Sequence, residues 1–246
     1  MLISAMVGID SRATMDIDTT LRNYPLNCES AEQIVRQIAD VEIDDKISFV
    51  IKKTEEIMED SEYQGVRLSL DAYLDKTRIP LKIDISTGDV ITPCEISFSY
   101  QLMFENRTIP LLAYPPETVL AEKLETILSR GEANTRLRDF YDVYILQRED
   151  FVVTPDALCH ALLATCRKRG HEDLLHTYAS ILDRVRQSDT MRTQWMKYQS
   201  YFDYAAGISW DTVVGTVETL CMKTLDDHAF GDELPQEESQ FEMHLL

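Results

Sequence analysis

Two carboxylates that are two residues apart are the first feature of this sequence that could support chemistry. They belong to Asp16-Ile17-Asp18, in a predicted strand from about residue 14 to 21. Side chains two apart on a strand share a face, so Asp16 and Asp18 are expected to project together while Ile17 points to the core. Paired carboxylates of this kind suit Mg²⁺, which takes its remaining ligands from water and nucleotide phosphates. Surface strands and turns also produce the pattern, so it does not establish a site by itself.

A third carboxylate lies in the segment Leu81-Lys82-Ile83-Asp84-Ile85-Ser86. Its alternation places Lys82, Asp84 and Ser86 on the face opposite three aliphatic residues, where Asp84 could join the first two carboxylates. Three carboxylates from two strands can hold two metal ions, one activating an attacking hydroxyl and one stabilising a leaving pyrophosphate. The alternative is an amphipathic strand with a solvated polar face.

Charged residues on two predicted helices form a further group. Lys123 borders the apolar stripe of its helix, from where it could reach a triphosphate. Asp139 and Asp142 lie three residues apart at the edge of the next helix and could orient Lys123 or a nucleotide. The alternative is that they make ordinary surface ion pairs with Arg136 and Arg138, which contribute little each.

The elements that must position these residues follow from hydrophobic periodicity. The first half predicts a mixed sheet with few helices, and the chain becomes helical after Tyr114-Pro115-Pro116. The expected fold class is therefore α+β, with a sheet domain over 1–114, a helical domain over 115–228 and an acidic flexible tail over 229–246. Predicted strands cover 14–21, 46–57, 66–74, 78–86, 96–104 and 108–113, and predicted helices cover 2–7, 29–39, 116–129, 136–148, 155–169, 172–185, 189–205 and 210–226.

Composition limits the classes of function. The net charge of −19 over 246 residues opposes a nucleic-acid backbone at long range, so RNA binding would need a local basic patch. The acidic surplus suits a basic partner protein or a solvated surface. Five scattered cysteines, with no Cys-x-x-Cys pair, favour structural thiols in a reducing compartment. No apolar run is long enough to span a membrane, so we predict a cytoplasmic protein.

Taken in order, these motifs resemble the AbiEii toxins of bacterial toxin–antitoxin and abortive-infection pairs, which are nucleotidyltransferases related to DNA polymerase β. The resemblance covers roughly residues 1–148. It is carried by the segments Arg12-Ala13-Thr14-Met15-Asp16-Ile17-Asp18, Leu81 to Ser86, Leu120 to Leu124 and Arg138 to Tyr144.

The resemblance implies a function and a role for each motif. Asp16, Asp18 and Asp84 would be the catalytic, Mg²⁺-binding carboxylates. Lys123 would act in catalysis and in nucleotide binding, the latter together with Asp139, Asp142 and Arg12. The expected reaction transfers a nucleoside monophosphate from an NTP to an RNA acceptor such as tRNA. A separate antitoxin is the expected protein partner.

The family also has a Gly-Gly or Gly-Ser turn whose N–H groups receive the nucleotide phosphates. This sequence begins at Met1, where such a turn would end. Two alternatives therefore accompany the enzyme hypothesis. One is a catalytically inert protein of the same fold that binds an antitoxin or another protein, and the other is a metal-dependent nuclease.

Overall fold

A computed structural model describes residues 2–8, 11–12, 16–43, 46–58, 64–102, 105–148 and 153–226. It contains a four-stranded mixed sheet, a separate two-stranded sheet and a group of helices. The predicted α+β class, with a mixed sheet, flanking helices and a C-terminal helical bundle, is confirmed. The proposed tail over 229–246 lies outside the described residues, and the division between residues 114 and 115 stays a prediction.

The larger sheet has the strand order β1-β4-β3-β2. β1 is parallel to β4, whereas β4 pairs antiparallel with β3 and β3 with β2. A register shift interrupts β2 between Ile51 and Lys53. The strands are β1 (Asp16–Leu21), β2 (Ile47–Met58), β3 (Gln64–Leu74) and β4 (Thr77–Thr87), and the smaller sheet pairs β5 (Ile96–Gln101) with β6 (Thr108–Ala113).

One face of the larger sheet is apolar and is covered by helix α2 (Cys28–Ala39). The core between them contains Leu68 and Leu70 of β3, together with Ala31 and Val35 of α2. Asn27 caps α2 because its side chain accepts the N–H of Ser30 at 2.8 Å. Residues that alternate with the core residues along β3 and β4 therefore lie on the opposite face, which we call the polar face.

The helices enclose a larger core. Its buried residues include Leu124 and Ile127, Phe140, Leu162 and Trp195, and Ile3 from the first helix also belongs to it. No helix in the described ranges combines the length and apolarity needed to cross a membrane. The helices are α1 (Leu2–Val7), α3 (Pro116–Arg130), α4 (Leu137–Leu146), α5 (Pro155–Lys168), α6 (Leu174–Gln187), α7 (Asp189–Tyr201) and α8 (Trp210–Leu225).

Candidate active site

The register of the parallel pair brings the predicted carboxylates together at the level of the backbone. Asp18 of β1 is the partner of Asp84 on β4, and Asp16 is the partner of Lys82. Adjacent strands are separated by about 5 Å, and partners in register share a face. Asp18 is exposed and Asp84 is partly buried. The side chain of Asp16 lies outside the described part of the structure.

Asp84 is held by an arginine that the sequence motifs did not single out. Nε of Arg67 donates to one carboxylate oxygen at 2.7 Å, and Nη2 donates to the other at 2.6 Å. The side chain of Asp84 is 17% exposed and that of Arg67 is 36% exposed. Arg67 is in register with Asp84 on one side and with Glu55 of β2 on the other. The row Glu55, Arg67, Asp84, Asp18 therefore crosses all four strands.

The carboxylates on the polar face fit a hard divalent cation in their chemistry. Oxygen ligands from one or two carboxylates, completed by water and phosphate, are typical of Mg²⁺ sites. Within the side chains that the structure describes, no group of three His, Cys, Asp or Glu residues is placed to hold a metal. The described part thus contributes two of the three predicted ligands, Asp18 and Asp84.

A second polar cluster lies further along the same two strands. The carboxylate of Asp89 accepts hydrogen bonds from the hydroxyls of Thr20, Ser86 and Tyr114, the last two at 2.5 and 2.8 Å. Thr20 also contacts Tyr114 directly. Burial raises the pKa of Tyr114, as does the neighbouring charge of Asp89, so its hydroxyl stays protonated. Because Tyr114 precedes α3 by two residues, this cluster links the sheet to the helices.

The residues predicted to bind nucleotide form a buried charge cluster, defined here as Arg12, Lys123, Asp139 and Asp142. Arg12 donates to both oxygens of Asp142, at 3.0 and 3.1 Å. Nζ of Lys123 lies 2.6 Å from Asp139 and 3.6 Å from Asp142. The side chain of Asp142 has 0% exposure, while that of Lys123 keeps 26%. Of the two cations, Lys123 is therefore the one that retains access to solvent.

The ion pairs of this cluster raise the pKa of both cations. Burial lowers the pKa of Lys123, but the charges of Asp139 and Asp142 and the hydrogen bond to Asp139 outweigh it. For Arg12, burial also lowers the pKa, and the charge and hydrogen bonds of Asp142 again outweigh it. Both side chains therefore remain positively charged at neutral pH.

One member of the buried charge cluster, Arg12, lies close to Asp16 in the chain. Arg12 precedes Asp16 by four residues, so their Cα atoms are separated by at most about 14 Å. Tyr141 strengthens the same connection, since its hydroxyl donates to the carbonyl of Ser11 at 2.6 Å. Both bonds tie the segment before β1 to α4. They therefore hold the chain against α4 four residues before Asp16.

Comparison with known proteins identifies the family. Residues 1–216 match the family model described as the nucleotidyl transferase AbiEii toxin of a type IV toxin–antitoxin system. The chain belongs to the AbiEii family. The AbiEii match extends beyond residue 148, where the resemblance carried by the sequence motifs ended, and includes helices α5, α6 and α7. The family makes this chain a nucleotidyltransferase, and a toxin rather than an antitoxin.

Two solved structures resemble this AbiEii protein distantly. JHP933 from Helicobacter pylori is 12% identical with a TM-score of 0.37, and the alignment covers 92% of this chain and 91% of that one. A structure from H. pylori described provisionally as a nucleotidyltransferase is 13% identical with a TM-score of 0.38, covering 92% and 95%. No curated protein sequence gives a significant match.

Three residues that contact or neighbour the candidate site were missed by the sequence motifs. Arg67 could have been found by extending the alternation of β3, since it lies between Val66 and Leu68 and must face away from the core. Asp89 and Tyr114 lie just after a strand and just before a helix, where no local pattern indicates that they meet.

Proposed function

We propose that this protein transfers a nucleoside monophosphate from an NTP to a hydroxyl of an RNA acceptor such as tRNA, in a reaction that requires Mg²⁺. The observation that carries the proposal is the register of β1 and β4, which sets Asp18 beside Asp84 on the polar face. Two carboxylates on one face suit a site that takes a divalent ion together with a triphosphate.

Each predicted residue has a proposed role. Asp16, Asp18 and Asp84 would hold Mg²⁺, which when bound supplies charge stabilisation at the phosphate groups. Lys123, whose side chain is 26% exposed, would bind the triphosphate through its amino group, which Asp139 keeps oriented. Asp142 and Arg12 are buried against each other, so their part in nucleotide binding is to fix the position of Lys123 and of the segment before Asp16.

The partner and the compartment are also proposals. Membership of a toxin family supports a cognate antitoxin that counteracts this protein. Both the NTP and the tRNA acceptor are cytoplasmic molecules, so we place its action in the cytoplasm.

The decisive experiment incubates the protein with total tRNA, Mg²⁺ and each radiolabelled NTP in turn. Asp18→Asn and Asp84→Asn should reduce label transfer at least about a hundredfold if these carboxylates hold the ion. Asp211→Asn, an exposed carboxylate on α8, is the matched control and should leave transfer unchanged. Transfer that persists in Asp18→Asn would refute the assignment of the site.

Two further outcomes separate the alternatives. Shortened RNA without label would identify a nuclease. The absence of both products, together with binding of an antitoxin or another protein, would support an inert binding protein.

A further inference from the structure

The pairing of Arg67 with Asp84 restricts the binding of a metal ion to Asp84. Both oxygens of Asp84 already accept hydrogen bonds from the guanidinium, at 2.7 and 2.6 Å. Such a two-point pair of a planar cation and a carboxylate is strong and strongly oriented. A divalent ion that binds Asp84 must therefore share or displace these bonds, beside a permanent positive charge.

A second carboxylate, that of Glu55, neighbours Arg67 on the polar face. Glu55 is its register partner on β2, on the side away from Asp84. Glu55 is partly exposed and lies 2.5 Å from the exposed Lys53. A guanidinium displaced from Asp84 can therefore exchange one carboxylate for another by a change of rotamer.

Charge decides which form of the metal is favoured. A free divalent ion carries +2 and is repelled by the guanidinium at a separation of a few ångströms. The complex of that ion with a nucleoside triphosphate carries a net negative charge, and the same guanidinium attracts it. An unpaired carboxylate group without Arg67 would instead attract the free ion most strongly.

We propose that Arg67 makes this site select the divalent ion as its complex with a nucleoside triphosphate over the free ion. The inference rests on the proposed function, because it takes Asp18 and Asp84 as ligands of the ion. Arg67 acts as a residue that determines specificity, and it needs no contact with the reacting atoms.

The test measures Mn²⁺ binding from the electron paramagnetic resonance signal of the unbound ion. Each protein is titrated with Mn²⁺ alone and with Mn²⁺ plus the α,β-methylene analogue of each NTP. Arg67→Gln removes the charge but keeps a hydrogen-bond donor, and it should bind free Mn²⁺ about tenfold more tightly than the wild type. Its preference for the Mn²⁺–nucleotide complex should fall by about the same factor.

Three controls define the result. Arg67→Lys keeps the charge and should bind free Mn²⁺ within about twofold of the wild type. Arg78→Gln removes another cation of the polar face, on β4, that pairs with a buried carboxylate, Asp71, at 2.9 Å. Arg78 is six residues from Asp84, or about 20 Å along the strand, so this change should leave Mn²⁺ affinity unaltered. Asp18→Asn should abolish the tight Mn²⁺ binding of Arg67→Gln.

The outcomes are separable from those of the transfer assay. Equal or weaker binding of free Mn²⁺ by Arg67→Gln would overturn the proposal, because it would show that the pair only holds Asp84 in place. No Mn²⁺ binding by any variant would overturn both this proposal and the proposed metal site. A tenfold gain in Arg67→Gln, together with no label transfer to RNA, would support the role of Arg67 and refute only the proposed reaction.

Discussion

Asp142 is the residue on which the buried charge cluster depends. It has no exposed surface, receives both hydrogen bonds from Arg12, and lies 3.6 Å from the amino group of Lys123. One carboxylate thus balances cations from two separate parts of the chain. Removal of its charge would take a buried carboxylate away from both Arg12 and Lys123, which costs far more than the loss of a surface pair.

We therefore expect Asp142→Asn to lower the free energy of unfolding by about 3–5 kcal/mol. Urea denaturation followed by circular dichroism measures the change. Asp211→Asn is the matched control, because Asp211 is 57% exposed in its pair with Arg192. That variant should differ from the wild type by less than about 1 kcal/mol. Equal effects of the two substitutions would show that the buried pair contributes no more to the free energy of unfolding than the surface pair does.

Lys123 gives a prediction for high pH. Its pKa is raised above the ordinary value of 10.5, because Asp139 and Asp142 outweigh the effect of burial. A cation with a raised folded-state pKa contributes stability that is complete below its unfolded-state pKa and is lost as pH rises through the folded-state value. Lys123→Met should therefore cost about 2 kcal/mol at pH 8.

The difference between the wild type and Lys123→Met should shrink above about pH 10.5. Urea denaturation of both proteins at pH 8, 9.5 and 11 checks this expectation. A difference that is the same at pH 8 and pH 11 would contradict the assigned role of the charge.

At the residue scale, the sequence predicts the side chains that follow a local period. Asp18 and Asp84 fall on one face because strands alternate, and Lys123 meets Asp139 because both border the apolar stripes of neighbouring helices. The partners of Arg12 and Arg67 could not be predicted in this way. Arg12 and Asp142 are 130 positions apart, and only the three-dimensional fold makes them neighbours.

At the scale of elements, strong hydrophobic periodicity predicts the bounds of helices and strands close to those observed. The helix predicted over 116–129 is Pro116–Arg130, and the strand predicted over 78–86 is Thr77–Thr87. The helix predicted over 189–205 is wrong at its end, since α7 stops at Tyr201 and a 3₁₀ turn follows at Asp203–Ala205. Phe202 between them has an extended backbone, with φ −132° and ψ 97°. No Gly or Pro at this position signals in the sequence that the helix ends.

The parallel pairing of β1 with β4 had no local signal either. These strands are separated by two other strands and a helix, so their register depends on how the whole sheet assembles. The strand pattern predicts which face each carboxylate takes, whereas assembly decides that Asp18 stands beside Asp84.

Gly65 provides a test of packing between elements. A Cβ atom placed there would lie 2.9 Å from Cγ1 and 3.3 Å from Cδ1 of Ile57, and 3.4 Å from the carbonyl oxygen of Ile85. Gly65→Ala should therefore lower the free energy of unfolding by about 1–3 kcal/mol, because Ile57 must shift. Thermal and urea denaturation measure the effect.

The cost of Gly65→Ala should depend on the side chain of Ile57. In an Ile57→Ala background the clashing side-chain atoms are gone, so Gly65→Ala should cost about 1 kcal/mol less than in the wild type. An equal cost in both backgrounds would place the strain elsewhere.

At the scale of the whole molecule, the two cores differ in size. The core between the sheet and α2 has six buried hydrophobic residues among those described, whereas the helical core has more than thirty. Regions with fewer buried apolar contacts open at a lower free-energy cost. The sheet should therefore be the less stable part.

Native-state hydrogen exchange followed by mass spectrometry checks this expectation. Peptides from β2 and β3 should exchange at lower denaturant concentration than peptides from α3 and α8. Simultaneous exchange of both sets would mean that sheet and helices unfold as one cooperative unit.

Because α1 lies in the helical core, the chain contributes to that core both before and after it forms the sheet. The chain passes from the helices to the sheet after Arg12, which pairs with Asp142 of α4. It returns to the helices at Tyr114, which contacts Thr20 of β1. The strand that follows the first crossing is thus in contact with the residue at the second, an arrangement that would suit a guest domain carried in a host. A sheet module with a different set of polar-face residues could be grafted between these points while the helical host kept its own core.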